Sequence, residues 1–219
     1  MRSKIILLIR HGEAIQGKDR GGENWEHRPY IGKTDPSLTQ TGIVQAKQLV
    51  ERLIPWVYTK APMGESVPKT IAVLSSPARR ALETARLATS GLGTRGTELP
   101  IQQDPDLWEI DFGRWEGKCF PQIKAMDAVL VDEWAQGRMD FRFPEGESLS
   151  AFRARVIRAG DRMRHHRAQV LLVITHGGVI RFLICYLLGL PPSSHLAFQI
   201  GTGSIARIHC YDGGAVLGL

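Results

Sequence analysis

Ile5-Ile6-Leu7-Leu8-Ile9, followed at once by Arg10-His11-Gly12-Glu13, is the stretch that decides the fold. Five consecutive apolar residues, three of them β-branched, read as a strand buried on both faces. The residues after it are the first free to leave that strand. In open α/β sheets, ligands bind at the carboxyl ends of strands. A cation, an imidazole and a glycine therefore arrive together at the expected ligand-binding rim.

The same plan recurs twice. Thr70-Ile71-Ala72-Val73-Leu74 leads through Ser75-Ser76-Pro77 into a helix expected over 78–88. Val170-Leu171-Leu172-Val173-Ile174 leads through Thr175-His176-Gly177-Gly178 into a helix expected over 179–188. Apolar strands separated by helices predict an α/β protein, with a mostly parallel sheet and helices on both faces. A further helix is expected over 39–54, where Ile43, Ala46, Leu49, Val50 and Leu53 share one face behind a Thr39 N-cap. Another is expected over 148–167, with Glu145 and Glu147 ahead of Ser148. The alternating stretch 204–210 reads as a half-exposed edge strand. Residues 16–33 read as a long polar loop and 58–69 as a surface connection. Strands of one sheet flank both, so a single domain over 1–219 is expected.

A chain of 219 residues with 43% hydrophobic content can build a core, which excludes general disorder. The net charge of +6 favours anionic ligands. Arg153, Arg155, Arg158, Arg162, Arg164 and Arg167, with His165 and His166, fall on several faces of their helix and lack interleaved aromatics. A solvated surface is expected there, and no nucleic-acid partner. Cys119, Cys185 and Cys210 are too far apart for a ligand pattern and read as reduced thiols of a cytoplasmic protein. No apolar stretch has the length of a membrane span, and the N-terminus lacks the features of a signal peptide. His27 and His209 show no metal spacing, and neither metal nor cofactor is expected. Self-association into a homodimer is left open.

Under right-handed connections the three strand ends share one rim. It would carry Arg10 and His11, then Arg79 and Arg80, then His176. The acid-rich stretch from Leu107 to Gly117 would add a carboxylate, for which Glu109, Asp111 and Glu116, with Asp106 just ahead of it, are equal candidates by chemistry alone. Arginines bind a tetrahedral dianion by forked hydrogen bonds. A neutral histidine can attack phosphorus, and neighbouring cations keep it unprotonated. A carboxylic acid can protonate the leaving oxygen and then activate water. The set suits metal-free phosphoryl transfer through phosphohistidine.

In that arrangement the chain resembles the histidine phosphatase (phosphoglycerate mutase-like) superfamily. The motifs that carry the likeness span nearly its whole length. They are Arg10-His11-Gly12-Glu13; Gly32 to Thr39 with Gly42; Ser75-Ser76-Pro77 with Arg80 and Thr84-Ala85; Glu109 before Phe112-Gly113-Arg114-Trp115-Glu116-Gly117; Gly146-Glu147-Ser148-Leu149; and His176-Gly177-Gly178 with Arg181. The resemblance implies the family's three-layer α/β/α fold. It makes His11 the phosphorylated nucleophile and Glu109 the general acid and base. Arg10, Arg80 and His176 would complete the phosphate pocket, with Gly12, Gly32, Thr34 and Gly177 on the substrate-binding side, and Arg79 would face elsewhere.

The implied activity is that of a metal-independent phosphoric monoester hydrolase of the histidine acid phosphatase type, acting on a small phosphorylated metabolite. Within the family, the motifs look most like the phosphatase branch that includes the α-ribazole phosphatase type. A phosphoglycerate mutase is disfavoured because the chain lacks the longer insertion after the acid and ends soon after Tyr211. A non-catalytic phosphate-binding module is disfavoured because all five pocket residues are retained. Three departures bear on the substrate: Gln16-Gly17 where an asparagine is frequent, a lengthened loop before Gly32, and Gly203-Ser204 in place of an Asn-Ser-like pair. The loop 16–33, with Arg28 or Tyr30, is expected to contact the non-phosphate part of the substrate.

Overall fold

The computed structural model describes residues 3–14, 27–60, 66–68, 70–93 and 98–218. Its centre is β1 (Lys4–Arg10), whose inner residues Ile6 to Ile9 are fully buried. It pairs in parallel with β6 (Val170–Thr175), and β6 pairs in parallel with β4 (Ile71–Ser75). A three-residue strand, β5 (Ile101–Gln103), continues the parallel set beyond β4. On the other side β7 (Ile205–Tyr211) and β8 (Gly214–Gly218) run antiparallel, giving the order β5-β4-β6-β1-β7-β8. The sheet is thus mixed and mostly parallel, as expected.

Successive side chains of a strand point to opposite faces, so β1 and β6 feed two cores. Leu7, Ile9, Val170, Leu172 and Ile174 pack under α1 (Gln40–Val57) and α2 (Arg79–Thr89). Ile6, Leu8, Leu171 and Val173 pack against α4 (Leu149–His165) and α5 (Gly177–Leu188). The result is three layers, helix on sheet on helix. Both long amphipathic helices start where their caps predict: Thr39 Oγ1 accepts from Gly42 N at 2.8 Å, and Ser148 Oγ from Ala151 N at 3.2 Å.

Two expectations need correction, and one helix has no signal in the sequence. The 204–210 strand is not an edge, because β8 covers its outer side. Its alternation reflects one buried face, and β8 is too short and glycine-bounded to announce itself. Within 58–69, β2 (Tyr58–Lys60) and β3 (Ser66–Pro68) pair as an antiparallel ribbon. The unsignalled element is helix α3 (Phe120–Ala135). Asp127, with φ −136° and ψ 46°, breaks its path; Ile123 and Val131 are buried, and Met126 and Val129 are exposed. Among the described residues no helix is long and apolar enough to cross a membrane, and all three cysteines are free.

Candidate functional site

Register brings the strand ends together: Arg10 lies opposite Thr175, and Ser75 opposite Ile174. Each chain leaves its strand at this rim. His11 N still donates to Thr175 O at 3.0 Å, and Ser76 N to Ile174 O at 2.9 Å. The rings of His11 and His176 therefore meet edge to face, with centroids 5.1 Å apart.

The protonation of His11 follows from its partners. Nδ1 lies 2.7 Å from the Gly12 carbonyl, which can only accept, so Nδ1 carries the proton. Arg80 Nε, which can only donate, lies 3.3 Å from Nε2, so Nε2 presents its lone pair. Burial, then Arg10 and Arg80, hold this imidazole well below its ordinary pKa. His176 is lowered likewise, by burial first and then by Arg80, His11 and Arg10. Its Nε2 lies 2.8 Å from Ser76 Oγ. Its Nδ1 and Arg10 Nε are buried without a hydrogen-bond partner among the described residues, although Arg10 Nη1 donates to Ile200 O at 2.6 Å.

Arg80 is 0% exposed. Its guanidinium forks onto the opposite wall, donating to Thr34 O at 2.7 Å and Gly32 O at 2.9 Å. Burial lowers its pKa, but a guanidinium stays charged. Arg79, one position earlier, turns outward and pairs with Glu83 at 2.9 Å.

The four candidate carboxylates separate by environment. Asp106 pairs with Arg158 and Arg162, and Asp111 with Lys33, each at 2.8 Å. Glu116 accepts from Gly32 N at 3.0 Å, Lys33 N at 2.9 Å and Thr34 Oγ1 at 2.7 Å, so it is consumed in holding that loop. Glu109 is 8% exposed and belongs to the stretch that β5 launches. Its Oε2 accepts from Gly178 N at the start of α5 at 3.0 Å, and its Oε1 from Ile110 N at 3.0 Å. It lies within electrostatic reach of both Arg10 and Arg80.

Two histidines, two arginines and one buried carboxylate on a mixed α/β sheet agree with the comparisons. The model of the histidine phosphatase superfamily (branch 1) matches residues 6–219. The chain belongs to this superfamily. It is 32% identical over 204 residues to the adenosylcobalamin/alpha-ribazole phosphatase of Escherichia coli, covering 93% of this chain and 88% of that protein. A bifunctional protein of Mycobacterium tuberculosis is 30% identical over 207 residues, 93% of this chain, and the chain spans 47% of that protein's length. The solved alpha-ribazole phosphatase from Shigella flexneri has a TM-score of 0.79 at 29% identity, covering 98% of this chain and 95% of that one.

Around this histidine phosphatase rim, the remaining expected residues fall into two groups. Gly12, Gly32 and Gly177 belong to its walls. A Cβ on Gly12 would stand 2.4 Å from Gly42 O, and one on Gly32 1.8 Å from Ile110 O, so neither position has room for a side chain. Gly177 opens α5 with its Cβ position 3.5 Å from Arg10 Nε, an ordinary contact. The Thr34 hydroxyl donates to Glu116 and its carbonyl accepts from Arg80, so the residue braces the wall. Tyr30 packs edge-on against Phe112 at 5.1 Å and Trp134 at 6.0 Å, and burial pushes its phenol up to about 12. Arg28 is exposed, close enough to Arg10 for the two charges to repel. Residues 15–26 of the expected substrate loop lie outside the described residues. Among the described residues no cluster of three or more His, Cys, Asp or Glu could hold a metal.

The solvated reading of the α4 arginines fails at Arg155. Its side chain is only 14% exposed and turns into the acid stretch. Arg158 and Arg162 stay largely exposed while pairing with Asp106 and Asp104. Charge at a helical position says nothing of a partner that approaches from a remote loop, so periodicity carried no signal for Arg155.

Proposed function

We propose that the protein is a phosphatase that hydrolyses a small phosphate monoester through a phosphohistidine on His11. The observation that carries this reading is the tautomer of His11, whose Nε2 lone pair is presented beside the Arg80 guanidinium. Arg10 Nε and His176 Nδ1 add buried polar atoms with no hydrogen-bond partner among the described residues. A phosphate's oxygens would accept from them. Ser76 Oγ accepts from Ala78 N at 3.2 Å and keeps its own proton to give to His176 Nε2; in the tautomer that takes it, the ring's proton sits on Nδ1 as a donor to phosphate.

The reaction then runs in two displacements. His11 Nε2 attacks phosphorus, and the ester P–O bond breaks as the Glu109 carboxyl gives its proton to the leaving alkoxide. Arg10, Arg80 and His176 stabilise the charge on the transferring oxygens. Glu109, now a carboxylate, takes a proton from water as that water attacks the phosphohistidine, and the P–N bond breaks. Inorganic phosphate leaves and His11 is neutral again. The reading extends to one histidine phosphatase domain over 1–219, acting in the cytoplasm on a diffusible ester.

The test is phosphate release from p-nitrophenyl phosphate and a sugar-phosphate panel, to which the names of the relatives add α-ribazole phosphate. Wild type should release phosphate and form an acid-labile phosphoenzyme with labelled substrate, and His11→Ala should do neither. Release at the wild-type rate by His11→Ala refutes the reading. Isomerisation of 3-phosphoglycerate without net release would replace hydrolysis with mutase-type transfer.

A further inference from the structure

Arg155 lies inside the protein but away from the reacting atoms, and every hydrogen it can donate is used. Nε donates to Glu147 Oε1 at 2.8 Å, and Nη2 donates to Glu147 Oε2 at 2.9 Å. Nη1 donates to Asp106 O at 2.9 Å and to Trp108 O at 2.5 Å, and Nη2 also reaches Glu109 O at 3.0 Å. A guanidinium has five N–H groups, so none is left over. Three of the five hold carbonyls of one short stretch, and that stretch carries Glu109.

The partner carboxylate fixes the far side of the same stretch. Glu147 N donates to Asp111 O at 3.0 Å, and Arg114 N donates to Pro144 O at 2.8 Å, so the turn over 143–147 clasps 111–114. That turn is tight enough to put Glu145 at φ 59°, and a Cβ on Gly146 would stand 2.4 Å from Asp111 O. Glu109 is therefore bracketed by Arg155 on its amino side and at its own carbonyl, and by Glu147 on its carboxyl side. Its side chain accepts two further hydrogen bonds, from Ile110 N, which moves with the same backbone, and from Gly178 N on α5, which requires the backbone at 109 to be where Arg155 holds it.

We infer that Arg155, locked to Glu147, is a positioning residue for proton delivery by Glu109. This inference rests on the phosphatase reading above. The fork is specific to arginine: lysine keeps the charge and the pairing with Glu147 but cannot reach three carbonyls in fixed directions. A bracket for the acid has a different signature from a general prop. A misplaced acid slows esters whose leaving alkoxide needs a proton, and spares p-nitrophenolate, which departs without one. The ratio kcat/KM isolates this step, because it ends when the leaving group has gone and does not see hydrolysis of the phosphohistidine.

The test compares wild type, Arg155→Lys, Glu147→Gln and Glu109→Gln on p-nitrophenyl phosphate and on the fastest alkyl phosphate of the panel, each well below its own melting temperature. The expected result is that Arg155→Lys and Glu147→Gln follow Glu109→Gln: kcat/KM for the alkyl ester falls by about 10²-fold, the scale of a lost general acid, while p-nitrophenyl phosphate changes little. Equal losses on the two substrates, or no loss in folded Arg155→Lys and Glu147→Gln, overturn the inference and leave the phosphatase reading intact. If Arg155→Lys fails to fold, Glu147→Gln decides by the same ratio. A wild type inactive on every ester sinks the phosphatase reading itself.

Discussion

Replacing Gly178 with alanine places a methyl carbon 2.4 Å from Glu109 Oε1, and 3.2 and 3.3 Å from its Cδ and Oε2. Ordinary contact begins at 3.4 Å, so the carboxylate must retreat by about 1 Å. The atoms in the way are the end of a side chain and not backbone, so the displacement falls on Glu109 and not on the sheet. The hydrogen bond from Gly178 N to Oε2, now 3.0 Å, is lost or bent in the process. Misplacing a reacting group by about 1 Å costs on the order of 10²-fold in rate. Nothing comparable threatens the fold. Gly178 is helical with no positive φ, and alanine in a helix is favoured over glycine by about 0.5–1 kcal/mol.

Gly178→Ala should therefore melt at or above the wild-type temperature and yet lose about two orders of magnitude in kcat/KM on an alkyl phosphate. On p-nitrophenyl phosphate the loss should be small, because that leaving group needs no proton from Glu109. The assay is steady-state phosphate release on both esters beside a thermal melt. Wild-type kcat/KM on the alkyl ester would refute the reasoning, since the carboxylate would then have moved without consequence. So would an equal loss on both esters with an unchanged melt, which would place the damage at the phosphate and not at the acid.

Two further expectations concern stability. His11 and His176 are held well below their ordinary pKa of 6.5, so as pH falls through that value the unfolded chain takes up protons that the folded protein refuses. Stability is thus full above pH 6.5 and declines below it, by up to about 1.4 kcal/mol per pH unit for each histidine; urea denaturation between about pH 5 and 7 should show the decline, and a His11→Gln/His176→Gln variant with an undiminished slope would exclude these two residues as its source. Arg80→Met strips the partner from the Gly32 and Thr34 carbonyls and should cost about 2–5 kcal/mol, against about 0.5 kcal/mol or less for the outward Arg79→Met. Equal urea midpoints for the two variants would contradict the burial of Arg80.

The legible part of the site lay where a strong periodic signal stood next to a polar residue. Ile5 to Ile9 and Val170 to Ile174 are unbroken apolar runs, so the sequence by itself puts His11 and His176, which follow them, at the rim. Glu109 was harder, since its strand β5 has only three residues and signals nothing. Chemistry alone left four carboxylates equal. They separate only once Glu116 is seen holding the backbone of Gly32 and Lys33, and Asp106 and Asp111 are seen paired with cations.

The same contrast explains why the sequence points to the burial of Arg80 at the rim and not to that of Arg155. Arg80 follows a buried strand by five residues and enters the rim directly. Arg155 reaches the acid stretch across separations of 46 to 49 residues, from a helix whose other arginines face water. His11 and His176 stand directly at strand ends, because that is where the fold opens. A group that holds such a residue in place needs only the right donors at the right point in space, and any element passing that point can supply it. Helix α4 passes beside Trp108 and Glu109 because Phe152, Val156 and Ala159 bury its other face in the core. The apolar stripe of α4 therefore fixes which of its arginines can reach the acid, and that choice is visible only when the stripe has been laid against the sheet.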